Sequence, residues 1–142
     1  MPVKEANVDR FIEFVRLSMK PEMQRAINYI VFKYDSASFE DYAKAHPPGS
    51  QNFDDWMRVA AFYDFLGALV VRGHIDRDLV FDTFPIPWIK MRPVALGMRE
   101  ALRWPDMWTQ FEALDRLEHE SREAKEKAML AAAVRAQKKP RR

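Results

Sequence analysis

Apolar positions recur with the helical period along nearly the whole chain. Val8, Phe11, Ile12, Val15 and Met19 fall at i, i+3, i+4 and i+7, one face of an amphipathic first helix. Pro21 and Glu22 restart the chain, since proline is tolerated in a first turn and an acid suits the positive end of the helix dipole. Met23, Ala26, Ile27, Ile30 and Val31 then carry a second helix. From Tyr34 to Asn52 the pattern weakens. Phe39, Tyr42 and Ala43 make one short helical turn before His46-Pro47-Pro48-Gly49-Ser50, a cluster that cannot continue a helix.

A third helix spans about Phe53 to Arg72. Phe53, Trp56, Met57, Ala60, Tyr63, Leu66, Gly67 and Val70 share one face, while Val59, Phe62, Leu69 and Val71 spread apolar character around the cylinder. A helix oily on most sides belongs at the centre of a bundle, and Gly67 marks a point of close approach by a neighbour. Gly73 suits the left-handed position that ends it, with Ile75 folding back as a hydrophobic clasp. Asp76 then caps a short helix from Arg77 to about Phe84, with Asp78 adding negative charge at its start.

Pro85, Pro87 and Pro93 punctuate the next stretch. Pro87 opens a fifth helix bearing Trp88, Ile89, Val94, Leu96, Met98 and Leu102, and Pro93 is expected to kink it. Trp104-Pro105-Asp106 closes that element, and Asp106 is the expected N-cap of the last helix, where Met107, Trp108, Phe111, Leu114 and Leu117 point inward. Past Leu117 the stripe fails. EHESREAKEK is charged on all sides, and AMLAAAVRAQ is a strong helix former with no core to face, so the last helix is expected to project before it ends in KKPRR.

The chain of 142 residues suits one domain, and an apolar content of 48% with 13% aromatics is enough to close a core. The reading is an all-α, single-domain bundle of five to six helices with a projecting C-terminal helix: residues 1–117 as the body, 118–142 as a charged, Ala-rich extension with a basic tail. There is no cysteine, which excludes disulfides, thiolate nucleophiles and Cys-ligated metals. No apolar run approaches the roughly 18 residues of a membrane span, and MPVKEANVDRF lacks a signal peptide's apolar region, so a soluble, cytoplasmic protein is expected.

The net charge of +2 conceals an asymmetry. Residues 1–115 hold 14 Lys/Arg against 17 Asp/Glu, and residues 116–142 hold 9 against 4. A basic end on a mildly acidic body suits an acidic partner, though a solvated tail that only keeps the protein soluble has the same composition.

The run FYDFLGALVVRGHIDRDLVFDTF, together with Trp88, Arg92, Pro93, Arg99, Pro105 and Phe111 to Leu117, resembles an uncharacterised bacterial all-helical family of domains of unknown function, the 4760-like group. These residues span roughly half of the chain. The resemblance implies a helical fold and carries no assigned activity or catalytic residue. Some members look membrane-anchored through an added N-terminal segment.

Candidate chemistry is sparse. Asp64 sits among apolar neighbours, where burial can raise a carboxyl toward general-acid duty, but a carboxylate on a helix flank more often pairs with a nearby arginine, here Arg58 or Arg72. Asp76, Asp78 and Asp82 echo a calcium loop without its sixth-position glycine or terminal glutamate. His119, with Asp115 at i−4 and Glu123 at i+4, has helical spacing for a divalent ion and equally for a salt-bridged surface. His46 and His74 stand in turns without a companion nucleophile or acid. HExxH, GxGxxG and GxxxxGK[ST] are all missing, so neither catalytic residues nor a cofactor or metal site is assigned.

Two binding surfaces remain. Lys90, Arg92, Arg99 and Arg103 interleave with Trp88, Trp104 and Trp108, a mixture able to stack bases and neutralise phosphates, unless the tryptophans are core and the arginines merely cover it. Met129, Leu130 and Val134, with Arg135, Lys138, Lys139, Arg141 and Arg142, form an apolar and basic surface beyond the core, suited to helix-in-groove or helix-pair recognition. The function expected is a non-enzymatic protein–protein interaction module, a small accessory or scaffold subunit, with a protein partner or a homo-oligomer. Nucleic-acid binding by the basic tail and the Arg/Trp surface is the alternative, and a cofactor-free enzyme the third.

Overall fold

The longest apolar pattern becomes the axis of the fold. The computed structural model describes residues 5–138. Among them lie seven α-helices: α1 (Glu5–Ser18), α2 (Pro21–Asn28), α3 (Phe39–Ala45), α4 (Gln51–Val71), α5 (Arg77–Thr83), α6 (Trp88–Ala101) and α7 (Thr109–Lys138). A π-helical turn, Tyr29–Lys33, continues α2. No strand occurs among the described residues. Helix α4 packs along α7 on one side and against α2 and the π turn on another, while α3 lies on α6.

The count exceeds five to six because α3 is a true helix rather than a single turn. Ser38 Oγ accepts the Asp41 amide at 3.2 Å, and Lys44 pairs with Glu40 across one turn. Ser50 does the same for α4, accepting from Phe53 N, so the central helix starts two residues before its apolar pattern does. Asp76 caps α5 as its sequence position implies, accepting Leu79 N at 2.9 Å. Gly73 takes φ +73° at the end of α4, His74 N reaches back to Leu69 O, and Ile75 is buried as the clasp.

Trp56, Val59, Ala60, Tyr63 and Leu66 of α4 are all almost fully buried. Around them close Met91, Val94 and Met98 of α6 and Phe111 and Leu114 of α7. Phe111 anchors the junction, stacked on Tyr63 at 5.3 Å and edge-on to Trp88 at 5.0 Å. Some expected core positions face water instead. The π turn rotates the α2 stripe so that Tyr29 and Ile30 enter the core while Val31 and Phe32 leave it, and Met19 lies beyond the end of α1.

The α6–α7 connection is the strained part of the chain. Arg103 and Trp108 hold φ of 50° and 64°, a region that costs a non-glycine residue about 1–2 kcal/mol. The buried Trp108 ring packs edge-on to Trp56 at 6.0 Å, which fixes its backbone there. Arg103 is exposed and has no such anchor, so Arg103→Gly is expected to raise stability by up to about 1 kcal/mol, read as a higher urea midpoint at unchanged slope. Helix α6 tolerates Pro93 because that residue faces water and the carbonyl it leaves free belongs to Ile89, also at the surface.

Candidate functional site

Helix α7 has two halves with different chemistry. Its first half is seated on α4 at Gly67, where a Cβ would lie 2.2 Å from Gln110 O and 3.2 Å from Leu114 Cβ. One turn earlier on α4, Asp64 Oδ1 accepts the amides of Gln110 and Phe111 at 3.1 and 3.0 Å. The acid is therefore the N-terminal cap of α7, supplied across the helix pair, and it pairs with neither Arg58 nor Arg72. Asp106 does not take the capping role expected of it. The turn before α7 is closed instead by Thr109, whose amide and hydroxyl both donate to the Asp106 carbonyl.

The second half leaves the body. Every residue from Arg122 to Lys138 is exposed, and Met129, Leu130 and Val134 stand 72%, 68% and 48% open to water. The last link to the body is an exposed ion pair, Lys125 Nζ to Asp82 Oδ1 at 3.3 Å. Arg135 and Lys138 lie on this exposed segment, with Arg135 Nε donating to the Ala131 carbonyl of its own helix. Lys139, Arg141 and Arg142 fall outside the described residues.

At the point of departure a cleft of about 440 Å³ opens between α7 and the α5–α6 connection. Phe81, Phe84, Ile86 and Ile89 form its apolar wall, and Asp115, Glu118, His119 and Arg122 its polar one. Helical spacing places Asp115, Glu118, His119, Arg122, Glu126, Met129, Leu130 and Ala133 within one stripe of α7. A shallow hollow is lined by the last of these, Glu126, Met129, Leu130 and Ala133. The cleft therefore continues outward as the apolar face of the free segment.

His119 Nδ1 donates to the Asp115 carbonyl at 2.8 Å and lies 3.3 Å from that residue's carboxylate. The hydrogen bond first, and the carboxylate charge second, hold its pKa above the usual 6.5. Burial lifts the Asp115 carboxyl above its ordinary range, and the attraction of His119 does not fully offset it. Both groups bind protons more tightly when folded, so each contributes stability that is lost as pH rises, His119 in the window just above 6.5. A histidine titration by NMR should place the His119 midpoint above that value and bring it part of the way back in Asp115→Asn; an unmoved midpoint would remove the carboxylate from the account. Glu123, the other acid at helical spacing from His119, is exposed and does not reach the ring, and among the described residues no three acidic or histidine side chains are grouped to hold a metal. Thr83 also lines the cleft, yet no hydrogen bond joins it to His119 among the described residues.

The arginine and tryptophan surface does not assemble as expected. Arg99 turns inward: its Nε donates to the Met107 carbonyl, Nη1 pairs with Glu112 at 3.3 Å, and the guanidinium covers Trp88 at 5.6 Å. Lys90 reaches the Val31 carbonyl at 3.0 Å. Arg92 and Arg103 are exposed, but Trp88 and Trp108 are buried, which leaves Trp104 as the exposed ring of that set. Stacking and phosphate contact need rings and cations on one face, and the core has consumed two of the three rings and turned Arg99 inward, while Lys90, Arg92 and Arg103 stay exposed.

Sequence reasoning missed a second concavity between α2 and α4. Asp55, almost fully buried, accepts from Gln51 Nε2 at 2.9 Å and Arg25 Nη2 at 3.3 Å. Beside it, Tyr29 donates to the Tyr42 hydroxyl at 2.7 Å, and Tyr42 to the Asn52 carbonyl at 3.0 Å. Burial raises the pKa of both phenols and pushes Tyr34 up to about 12, so all three are neutral hydrogen-bonding groups near pH 7. Asp55, Tyr29 and Tyr42 are all partnered, whereas the buried Tyr34 hydroxyl has no hydrogen-bond partner among the described residues. The available signal was Asp55, an acid beside Trp56 at the start of the oily central helix.

An all-helical body with one helix extending past it is the class that this geometry defines, and no described helix is long and apolar enough to cross a membrane. The chain belongs to the family described as Domain of unknown function (DUF4760), whose model matches residues 9–116. No curated protein and no solved structure matches the chain. The free half of α7 lies beyond the matched stretch.

Proposed function

We propose that this protein is a non-enzymatic protein–protein interaction module, a small accessory or scaffold subunit that docks through the outer half of α7. The observation that supports it is the exposure of Met129 and Leu130, two large apolar side chains on a helix whose other half is fully committed to the body. Burying each would return about 1.5–3 kcal/mol. Association itself costs about 4 kcal/mol or more, so the pair offsets little beyond that cost and the contact is of the weak, reversible kind.

Met129→Glu combined with Leu130→Glu tests this, because glutamate preserves helix propensity while removing the apolar face. The expected result is an unchanged thermal transition of the body with loss of the captured protein partner, matched by truncation after Glu120. Retention of the partner in both variants would sink the reading. The basic end of the chain supports a second reading, nucleic-acid binding, which instead expects loss of salt-sensitive binding to DNA or heparin on truncation.

A further inference from the structure

We infer that the concavity between α2 and α4 is a binding site for a free α-amino acid with an uncharged polar side chain, its ammonium received by Asp55 and its carboxylate by Arg25 and Lys33. This goes beyond the interaction reading above and uses none of its surface.

A buried carboxylate forms the floor. The Asp55 side chain is 3% exposed, and the bonds from Gln51 Nε2 and Arg25 Nη2 both fall on Oδ1. Oδ2 receives none among the described residues, yet it is not one of the sealed side-chain atoms, so it opens onto a concavity of about 590 Å³. That volume lies within the roughly 300–1,000 Å³ of small-molecule sites. A charge buried for stability alone suffers desolvation and gains from pairing both of its oxygens. Here one accepting oxygen remains for a donor from outside.

Cations stand beside it. Arg25 is half exposed and gives Asp55 a single N–H at 3.3 Å, which leaves donors of its planar fork for a second acid. Lys33 is exposed on the same wall. Helix α4 also starts there, with Gln51 and Asn52 as its first two residues, so the positive end of a 21-residue helix adds to the pull on an anion. Tyr29 and Lys33, which both line the concavity, are the two ends of the π-helical turn, and turns of that kind gather at functional sites.

The arrangement of charge narrows the ligand. An anion and a cation 3.3 Å apart match an ammonium and a carboxylate carried on one carbon, whereas a neutral polyol offers neither charge. The rest of the wall is largely amide. Gln24 and Asn52 have their amide nitrogens on Ser18 O and His46 Nδ1, so their oxygens are left to accept, and Asn28 can both donate and accept. A carboxamide or hydroxyl side chain suits such a wall, and an aliphatic one does not.

Proton–nitrogen NMR of the full-length chain titrated with L-glutamine tests this. The expected result is saturable shifts centred on Asn28, Lys33 and Asn52, with a dissociation constant of about 1 mM or tighter. N-acetyl-L-glutamine and L-glutaminamide each lack one of the two charges, and each should bind at least about tenfold more weakly, the loss expected with one charge-assisted hydrogen bond. L-leucine should also bind more weakly. Asp55→Asn keeps the shape of the floor and should weaken L-glutamine binding by about 10- to 100-fold. Lys33→Gln, at an exposed position, should weaken it several-fold at an unchanged thermal transition, and it decides the matter if Asp55→Asn does not fold. Binding of both blocked forms, or of glucose, as tight as that of L-glutamine would overturn the zwitterion. Absence of saturable shifts with L-glutamine, L-serine and glycine alike, or shifts confined to another surface, would overturn the site.

Discussion

Gly67→Ala is expected to lower the stability of the folded chain by about 2–3 kcal/mol. An added methyl at an exposed helical glycine would raise it by about 1 kcal/mol through propensity. Here the methyl would meet the Gln110 carbonyl at 2.2 Å, and the obstacle is backbone, which cannot rotate aside. Helix α7 must move off α4, loosening Phe111 and Leu114, both fully buried in that seam. Overpacking of this kind costs about 1–3 kcal/mol and more where the neighbour is rigid, which outweighs the propensity gain. Urea unfolding should show a lower midpoint at unchanged slope. Gly73→Ala is the control: nothing lies within 4 Å of the added carbon, so its cost is the left-handed backbone alone, about 1–2 kcal/mol. A Gly67→Ala protein more stable than the parent would refute the close approach.

Asp64→Ala should cost about 2–3 kcal/mol for a different reason. Removing the carboxylate leaves the amides of Gln110 and Phe111 unpaired at a half-buried helix start, and hydrogen bonds to a charged acceptor are worth about 1.5–3 kcal/mol together with the cap. Asp64→Asn keeps an accepting oxygen and should lose about half as much. The two sites act on one helix terminus, so the double variant Gly67→Ala/Asp64→Ala should lose less than the sum of the singles, by more than the roughly 0.5 kcal/mol allowed for independent sites. Additivity would mean that the cap and the close approach are separate features of the fold.

The consequence reaches the free surface. The orientation in which α7 leaves the body is set at its first turn, by Asp64 and Gly67, some 30 Å of helix before Leu130 at 1.5 Å per residue. Variants there are expected to perturb docking without touching the apolar face, whereas Met129→Glu with Leu130→Glu leaves the melt unchanged. Comparing the two kinds separates the surface from its support.

Local patterns were legible because their causes are local. The apolar spacing from Phe53 to Val71 can be satisfied only by a helix buried on most sides, Gly73 is the residue that tolerates a left-handed stop, and Asp76 lies where its oxygen reaches the amide three residues on. The failure of the stripe beyond Leu117 likewise marked the exposed half of α7, since nothing apolar repeats there at core spacing. The caps by Ser38 and Ser50 are equally local but stand where the apolar pattern is weak, Ser38 within the stretch from Tyr34 to Asn52 and Ser50 in the Pro-Pro-Gly-Ser turn.

The tertiary structure was required for every interaction whose partners lie far apart in sequence. Asp64 reads as an isolated acid until residues 110 and 111 are brought to it, and Arg99 reads as a surface cation until Met107, Glu112 and Trp88 close around it. Asp106 has the right composition for a cap, but the left-handed Trp108 turns the chain so that the helix begins under α4 instead. By itself the sequence determined a succession of amphipathic helices, an oily central one among them, and the basic composition of the last stretch. The packing of α7 on α4 decided which polar groups are spent inside and which face remains, because a side chain's role depends on the neighbours that chain folding delivers, and spacing along one helix carries no information about those.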